Sequence, residues 1–292
     1  MTRLVDGRTI AVTMATATAA AAAVLRSGGI TPTLAVLVPT DDAGAAWYVR
    51  SIQRSAARTG IACQVHRMGS PRCALPSAAE IGDRLAELSR DPAVHGVICQ
   101  TPLPPGAELA QVGAAIPVSQ DVDGANPASL GGLAAGLPGV FAPATAAAVL
   151  QILQHERIPL SGRRAVVVGR STVVGKPVAL LLLAEHATVT VAHSRTVDLP
   201  AVCREADVLV VAAGRPKLIG ADHVRPGAVV IDVGTTPIGG TDGGGLAGDV
   251  DAAAVTGIAS MLTPVPGGVG PVTTAVLMQH TLAAAARTAG QD

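Results

Sequence analysis

The sequence predicts an α/β protein built as two three-layer α/β domains, the second of them Rossmann-like. Three observations predict it. Short apolar runs alternate with amphipathic stretches through the first half of the 292 residues. Five further apolar runs, mostly separated by helical patterns, fill the second half. Between the halves lies a stretch rich in Gly, Pro and Ala, roughly 124–144. Strand–helix–strand alternation implies right-handed parallel crossovers with helices laid on the sheet.

The elements follow in order. Val12–Arg26 reads as a helix closed by Gly28-Gly29. Leu34–Val38 is a strand, Ala45–Arg58 an amphipathic helix ended by Gly60, and Ala62–His66 a strand. Ser77 is placed to cap a helix over Ala79–Ser89, because Glu80 lies at capping-box spacing. His95–Cys99 is a third strand, followed by the proline-rich loop 101–105. Ala146–His155 reads as a connecting helix. The second half holds strands at Ala165–Val168, Thr188–Ala192, Val208–Ala212, Val229–Val233 and Ile258–Leu262, a glycine-rich hairpin near 239–245, and a last helix over Thr273–Thr288. That last helix is expected to pack back on the first half. The domains are then discontinuous: 1–142 plus 271–292, and 143–270.

Composition excludes several functions. Basic and acidic residues balance at 21 each, and the chain has one Phe, one Trp and one Tyr. A nucleic-acid partner calls for a basic stripe or stacking platforms, and neither is present. The alanine run at 19–23 is too short and mixed to span a bilayer, and no signal-peptide pattern opens the chain. Cys63, Cys73, Cys99 and Cys203 show neither C-x-x-C spacing nor a disulfide framework, so they read as reduced thiols of a cytoplasmic protein. No residue pattern calls for a metal.

The most informative stretch is Ala165–Val178. An apolar strand runs into a loop holding Gly169 and Gly175, then into the helix Val178–Leu183. Strand, glycine turn and helix N-terminus in that order suit a nucleotide phosphate, through backbone N–H groups and the helix dipole. Glycines alone would fit any tight βα turn. The pattern Gly169-Arg-Ser-x-x-Val-Gly-x-Pro177 is more specific. It resembles the cofactor loop of the methylenetetrahydrofolate dehydrogenase/cyclohydrolase family. Asp121-Val-Asp-Gly124, Gln100 with Pro102-Leu-Pro104, Ile231-Asp-Val-Gly234 and Pro264–Pro271 look like further signatures of it, in matching order.

The resemblance implies two domains flanking a folate cleft, a homodimer, and a nicotinamide cofactor on the second domain. Its members oxidise 5,10-methylenetetrahydrofolate to the methenyl form, and most hydrolyse that to 10-formyltetrahydrofolate. Gly169, Arg170, Ser171 and Gly175 would hold the cofactor. After the second Rossmann strand, where the adenosine ribose is met, the chain reads His193-Ser-Arg-Thr196. Ser194, Arg195 and Arg170 supply donors suited to a 2′-phosphate, which favours NADP over NAD. Solvated surface arginines are the alternative. Thr235, after Gly234, would approach the nicotinamide.

Toward folate, Asp123 would accept two hydrogen bonds from the pterin 2-amino and ring N–H groups. On an extended backbone Asp121 would point the same way, although D-x-D-G alone also fits a turn with Asx bonds. Pro266, Gly267, Gly268 and Gly270 would let backbone approach the folate closely. The family places a Tyr and a catalytic Lys four residues apart on one helix face, with a Gln at the first-domain strand end. Tyr48 and Gln100 fit that catalytic set, but the lysine position is Ile52. Arg54 lies about 240° around the helix from Tyr48. The chain's two lysines, Lys176 and Lys217, align elsewhere. Two loops differ as well: Pro143-Ala-Thr-Ala replaces Pro-Cys-Thr-Pro, and Ala125-Asn-Pro127 replaces aromatic-His-Pro.

An isoleucine neither moves protons nor carries charge, whereas hydride transfer needs no protein proton transfer. The leading expectation is therefore an NADP-dependent dehydrogenase with weak or absent cyclohydrolase activity. Two others stand beside it: a methylenetetrahydrofolate-dependent one-carbon transferase or cyclase, and a catalytically silent folate- or NADP-binding protein.

Overall fold

Apolar, β-branched runs form the sheets, and the computed structural model describes residues 1–68, 75–238, 245–288 and 290. The chain opens with β1 (Arg3–Leu4) and α1 (Gly7–Ser27). Then come β2 (Thr33–Val38), α2 (Ala43–Thr59), β3 (Ala62–Arg67), α3 (Ala78–Arg90), β4 (Gly96–Cys99), α4 (Leu109–Gly113), α5 (Pro127–Ala134) and α6 (Ala144–His155). The second half runs β5 (Arg164–Val168), α7 (Gly175–Ala184), β6 (Thr188–Ala192), α8 (Leu199–Arg204), β7 (Val208–Val211), a 3₁₀ turn at Ala221–His223, β8 (Val229–Asp232), β9 (Thr236–Ile238), β10 (Gly245–Ala247), α9 (Ala252–Val255), β11 (Met261–Leu262) and α10 (Val269–Thr288).

Two compact units result: Val12–Ala144 with Thr274–Asp292, and Met1–Ala11 with Thr145–Thr273. The first carries a parallel sheet ordered β3-β2-β4. All six residues of the central strand β2 are buried, as a continuous apolar run demands. The Ser77–Glu80 capping box is present: Ser77 Oγ accepts from Glu80 N, and the Glu80 carboxylate accepts from Ser77 N at 2.8 Å. Asp42 caps α2 by accepting from Ala45 N at 2.8 Å.

The second unit carries a six-stranded parallel sheet ordered β1-β11-β8-β7-β5-β6, beside the antiparallel hairpin β9–β10. The hairpin's expected glycine-rich tip lies outside the described residues. Apart from β1, the strand order is second–first–third–fourth–fifth, a doubly wound arrangement whose direction reverses between β5 and β7. Ligands of such sheets sit beyond the carboxyl ends of the strands at that reversal.

The first eleven residues correct the sequence reading, which gave them to the first domain. Arg3 pairs with Met261 and Leu4 with Leu262, so β1 extends the second unit's sheet. A two-residue strand carries no periodicity to read. The 124–144 stretch, read as a separator, contains α5; Asn126 caps it and Pro127 opens it, while two glycines mask the helical pattern. Helix α1 also starts earlier than expected and, at 21 residues, is long and apolar enough to cross a membrane by length and composition. In this fold Ile10, Met14, Thr18, Ala22 and Leu25 are buried at helical intervals, the pattern of a packing helix.

Candidate active site

In α2 a buried stripe runs through Ala45, Val49, Ile52, Ala56 and Thr59, the i, i+4, i+7 spacing of a core-facing helix. Ile52 belongs to that stripe and is 0% exposed. Tyr48, one turn earlier, is half-buried at its margin. Burial and the nearby Asp123 carboxylate hold the Tyr48 hydroxyl well above the usual tyrosine range, so it stays protonated and can donate. Gln100 follows β4; its backbone N donates to Leu37 O at 2.8 Å and its side-chain amide to Thr101 O at 3.0 Å.

The two aspartates of Asp-Val-Asp-Gly do not point alike, because residues 122 and 123 form a turn rather than a strand. Asp121 is 0% exposed; its carboxylate accepts from Ala125 N at 2.8 Å, Asn126 N at 2.9 Å and the Ser129 hydroxyl. It is fully committed to the start of α5. Asp123 is half-buried, and one of its oxygens accepts from Ala144 N at 3.3 Å. Burial, reinforced by the Asp121 charge and opposed by that amide, pushes the Asp123 carboxyl up to about 7. Tyr48 and Asp123 are thus brought together by the fold, although 75 positions separate them in the chain.

In the second unit, Gly169 leaves β5 with φ of +135°, and a Cβ there would lie 2.2 Å from Ala212 O. A Cβ on Gly175 would meet Gly169 O at 2.3 Å. The loop therefore folds tightly at the reversal between β5 and β7. The α7 amides, expected to face a phosphate, are taken up within the chain. The first-turn amides of α7 are not free: Ser171 Oγ accepts from Val174 N and Gly175 N, and Ser171 O accepts from Lys176 N at 3.0 Å. Ser171 supplies its own small capping turn. Arg170, Ser194, Arg195 and Thr235 are exposed.

Sequence reading gave no role to Asp232 and Asp249, both buried at strand ends. Asp232 accepts from Gly234 N at 2.9 Å, Asp249 N at 3.0 Å and Val250 N at 3.0 Å. Asp249 accepts from Ala213 N at 2.7 Å and Gly214 N at 2.8 Å. Together they fix the loops after β7 and β8 from behind. Burial, reinforced by Asp249, pushes the Asp232 carboxyl up to about 6. An Asp inside the apolar run Ile231-Asp-Val was the signal available. Pro266 and Gly267 border a 240 Å³ concavity with Leu4, Val5, Asp6, Arg8 and Pro264. Gly270, beyond it, opens α10 and is exposed.

Residues 5–123 match the family description "tetrahydrofolate dehydrogenase/cyclohydrolase, catalytic domain", and residues 143–289 match its NAD(P)-binding domain. The chain belongs to this tetrahydrofolate dehydrogenase/cyclohydrolase family. Among relatives, the bifunctional protein FolD of Parafrankia sp. is 58% identical over 97% of this chain and 99% of its own. The FolD dehydrogenase/cyclohydrolase structure from Campylobacter jejuni superposes with a TM-score of 0.92 at 34% identity, covering 98% of this chain and 99% of that one. The Trypanosoma brucei enzyme, solved with NADP and an inhibitor, does so at 0.92 and 33%, covering 99% and 98%. Membership of the folate family makes the two halves a catalytic and an NAD(P)-binding domain.

Proposed function

We propose that this chain is an NADP-dependent methylenetetrahydrofolate dehydrogenase whose cyclohydrolase step is weak or absent. The observation that carries the reading is Ile52: an apolar, fully enclosed side chain one turn from Tyr48, where the family resemblance puts the catalytic lysine. Two relatives, 58% and 59% identical, are named bifunctional, and the proposal for this chain departs from that name.

The residues of the second unit fit a dinucleotide. At the sheet's reversal point Gly169 and Gly175 leave no room for a side chain at either of their own positions, and 193–196 holds no acid to repel a 2′-phosphate. Arg170, Ser194 and Arg195 would hold that phosphate, the Ser171 hydroxyl the pyrophosphate, and Thr235 would face the nicotinamide. When bound, NADP would supply the hydride acceptor for the folate methylene carbon. Asp123 would fix the pterin ring, with Tyr48 as a protonated donor beside it and Gln100 at the neighbouring strand end. Pro266 and Gly270 would offer backbone to the folate. No protein base is needed for hydride transfer. Hydrolysis does need one, and Ile52 supplies none. The domains would follow the two compact units, 12–144 with 274–292 for folate and 1–11 with 145–273 for NADP, and the protein would be a homodimer of the cytoplasm.

Arg195→Ala and Arg170→Ala should each weaken NADP more than NAD, by about 1–3 kcal/mol for a lost charge-assisted contact. Titration of both cofactors checks this, and equal weakening would count against the 2′-phosphate assignment.

Folate binding should depend on pH through Asp123. Its carboxyl, held up at about 7, must lose its proton to accept two pterin donors. Tetrahydrofolate affinity should therefore rise as pH climbs through about 7, with a proton released on binding below that point. The unbound protein has the opposite linkage: Asp123 contributes stability at low pH that is lost as pH rises through about 7. Asp123→Ala should flatten the binding profile and cost roughly 1–3 kcal/mol of affinity at pH 8. Calorimetry showing an unchanged profile in a folded variant would refute the assignment.

A further inference from the structure

Asp123 stands where two segments meet, 121–126 and 139–144. Its carboxylate takes the Ala144 amide, and a Cβ on the adjacent Gly124 would lie 2.6 Å from the Pro143 ring. One face of α10 reaches both segments. His280 Nδ1 lies 2.9 Å from Val122 O; a carbonyl only accepts, so Nδ1 carries the proton and donates. The His280 ring stands 4.9 Å from the Phe141 ring, tilted by 34°. The Arg287 guanidinium lies 4.5 Å from the Phe141 centroid, and its Nη1 donates to Gly139 O at 2.7 Å. Residues 280 and 287 are two turns apart, so they share that face.

We propose that His280 is a positioning residue for the folate site: with Phe141 and Arg287 it clamps the Val122–Gly124 turn against the 139–144 segment, and so sets the direction of the Asp123 carboxylate. This rests on the reading of Asp123 as the pterin ligand. The clamp is directional because a hydrogen bond to the carbonyl before Asp123 fixes the peptide plane that Asp123 continues. Aromatic and cation–π contacts hold the second segment, whose amide orients the carboxylate from the other side. Burial keeps the imidazole neutral down to about 4, so the single Nδ1 donor persists at neutral pH. A histidine that only filled core space would have no reason to affect ligand affinity separately from stability.

Tetrahydrofolate is titrated into wild-type protein, His280→Phe, His280→Asn, Arg287→Met and Asp123→Ala, with NADP as the control ligand and melting temperature recorded. His280→Phe keeps an aromatic ring beside Phe141 and loses the donor; His280→Asn keeps a short donor within reach of Val122 O. Expected is a loss of tetrahydrofolate affinity of about five- to tenfold in His280→Phe, the ratio for one buried hydrogen bond, with NADP affinity unchanged. His280→Asn should recover to within about twofold of wild type. Under turnover, KM for methylenetetrahydrofolate should rise while kcat stays within about twofold. Wild-type tetrahydrofolate affinity in folded His280→Phe, or an Asn variant as weak as the Phe variant, overturns the proposal. Should His280→Phe not fold, Arg287→Met carries the test, and unchanged affinity there overturns it equally. Loss in Asp123→Ala without loss in the clamp variants defeats the clamp alone. No tetrahydrofolate binding by wild type defeats the reading of the site, and the clamp with it.

Discussion

Ile52→Lys is expected to raise the rate of methenyltetrahydrofolate hydrolysis by about 10²-fold, toward the 10²–10⁴ range typical of a positioned acid/base. A lysine there begins one turn from Tyr48, on a helix whose margin faces the Asp123 carboxylate. Burial and a cationic folate would lower its pKa toward neutrality, where it can pass a proton to and from an attacking water. The gain should fall short of the full range, because the loops at Ala125 and Ala144 keep their altered sequence. The same change should cost stability. Ile52 is 0% exposed in the α2 stripe, and an ammonium without a partner there would cost about 3–5 kcal/mol. Ile52→Leu is the control, since it keeps the packing and should leave hydrolysis at the wild-type level. A folded Ile52→Lys protein with intact dehydrogenase activity and no gain in hydrolysis would show that this position does not face the reacting carbon.

Gly169→Ala should abolish NADP binding at working concentrations and destabilise the second unit. At φ of +135° any L side chain is strained, and the new methyl would lie 2.2 Å from the Ala212 carbonyl oxygen, which is backbone and cannot swing away. Strain and overpacking together come to about 2–5 kcal/mol. They act on the turn that sets the path from β5 into α7, so the loss falls on the loop proposed to cradle the pyrophosphate. Gly136→Ala is the contrast: φ is +66° but nothing lies within 4 Å, so only about 1 kcal/mol of left-handed strain applies. Tetrahydrofolate affinity, which depends on Asp123 in the other unit, should survive in both. Near-equal melting temperatures for the two variants would contradict the packing argument.

Much of the fold was legible because its signals are local. The strands at Leu34–Val38 and Ala165–Val168 are unbroken apolar runs, and the Ser77 box states its own helix start. What was not legible depends on distant partners. β1 is a strand only because Met261 and Leu262 offer an edge, and nothing within Arg3-Leu4 says so. α5 hides in a Gly- and Ala-rich stretch because its start is set by Asp121 and Asn126, not by its own apolar pattern. At the proposed site, Asp123, Tyr48 and Gln100 are named by the family resemblance. The division of labour between Asp121 and Asp123 is not, since it turns on whether two residues form a strand or a turn. Asp232 and Asp249 were missed for a similar reason: their role lies in backbone amides contributed by loops 17 to 36 positions away.

The most direct test is to mix purified protein with 5,10-methylenetetrahydrofolate and NADP and follow the methenyl absorbance beside NADPH formation. Expected is one methenyl group per NADPH, persisting at a decay rate close to that of buffer. Stoichiometric NADPH with methenyl consumed as fast as it forms would contradict it, because Ile52 would then sit in a competent cyclohydrolase.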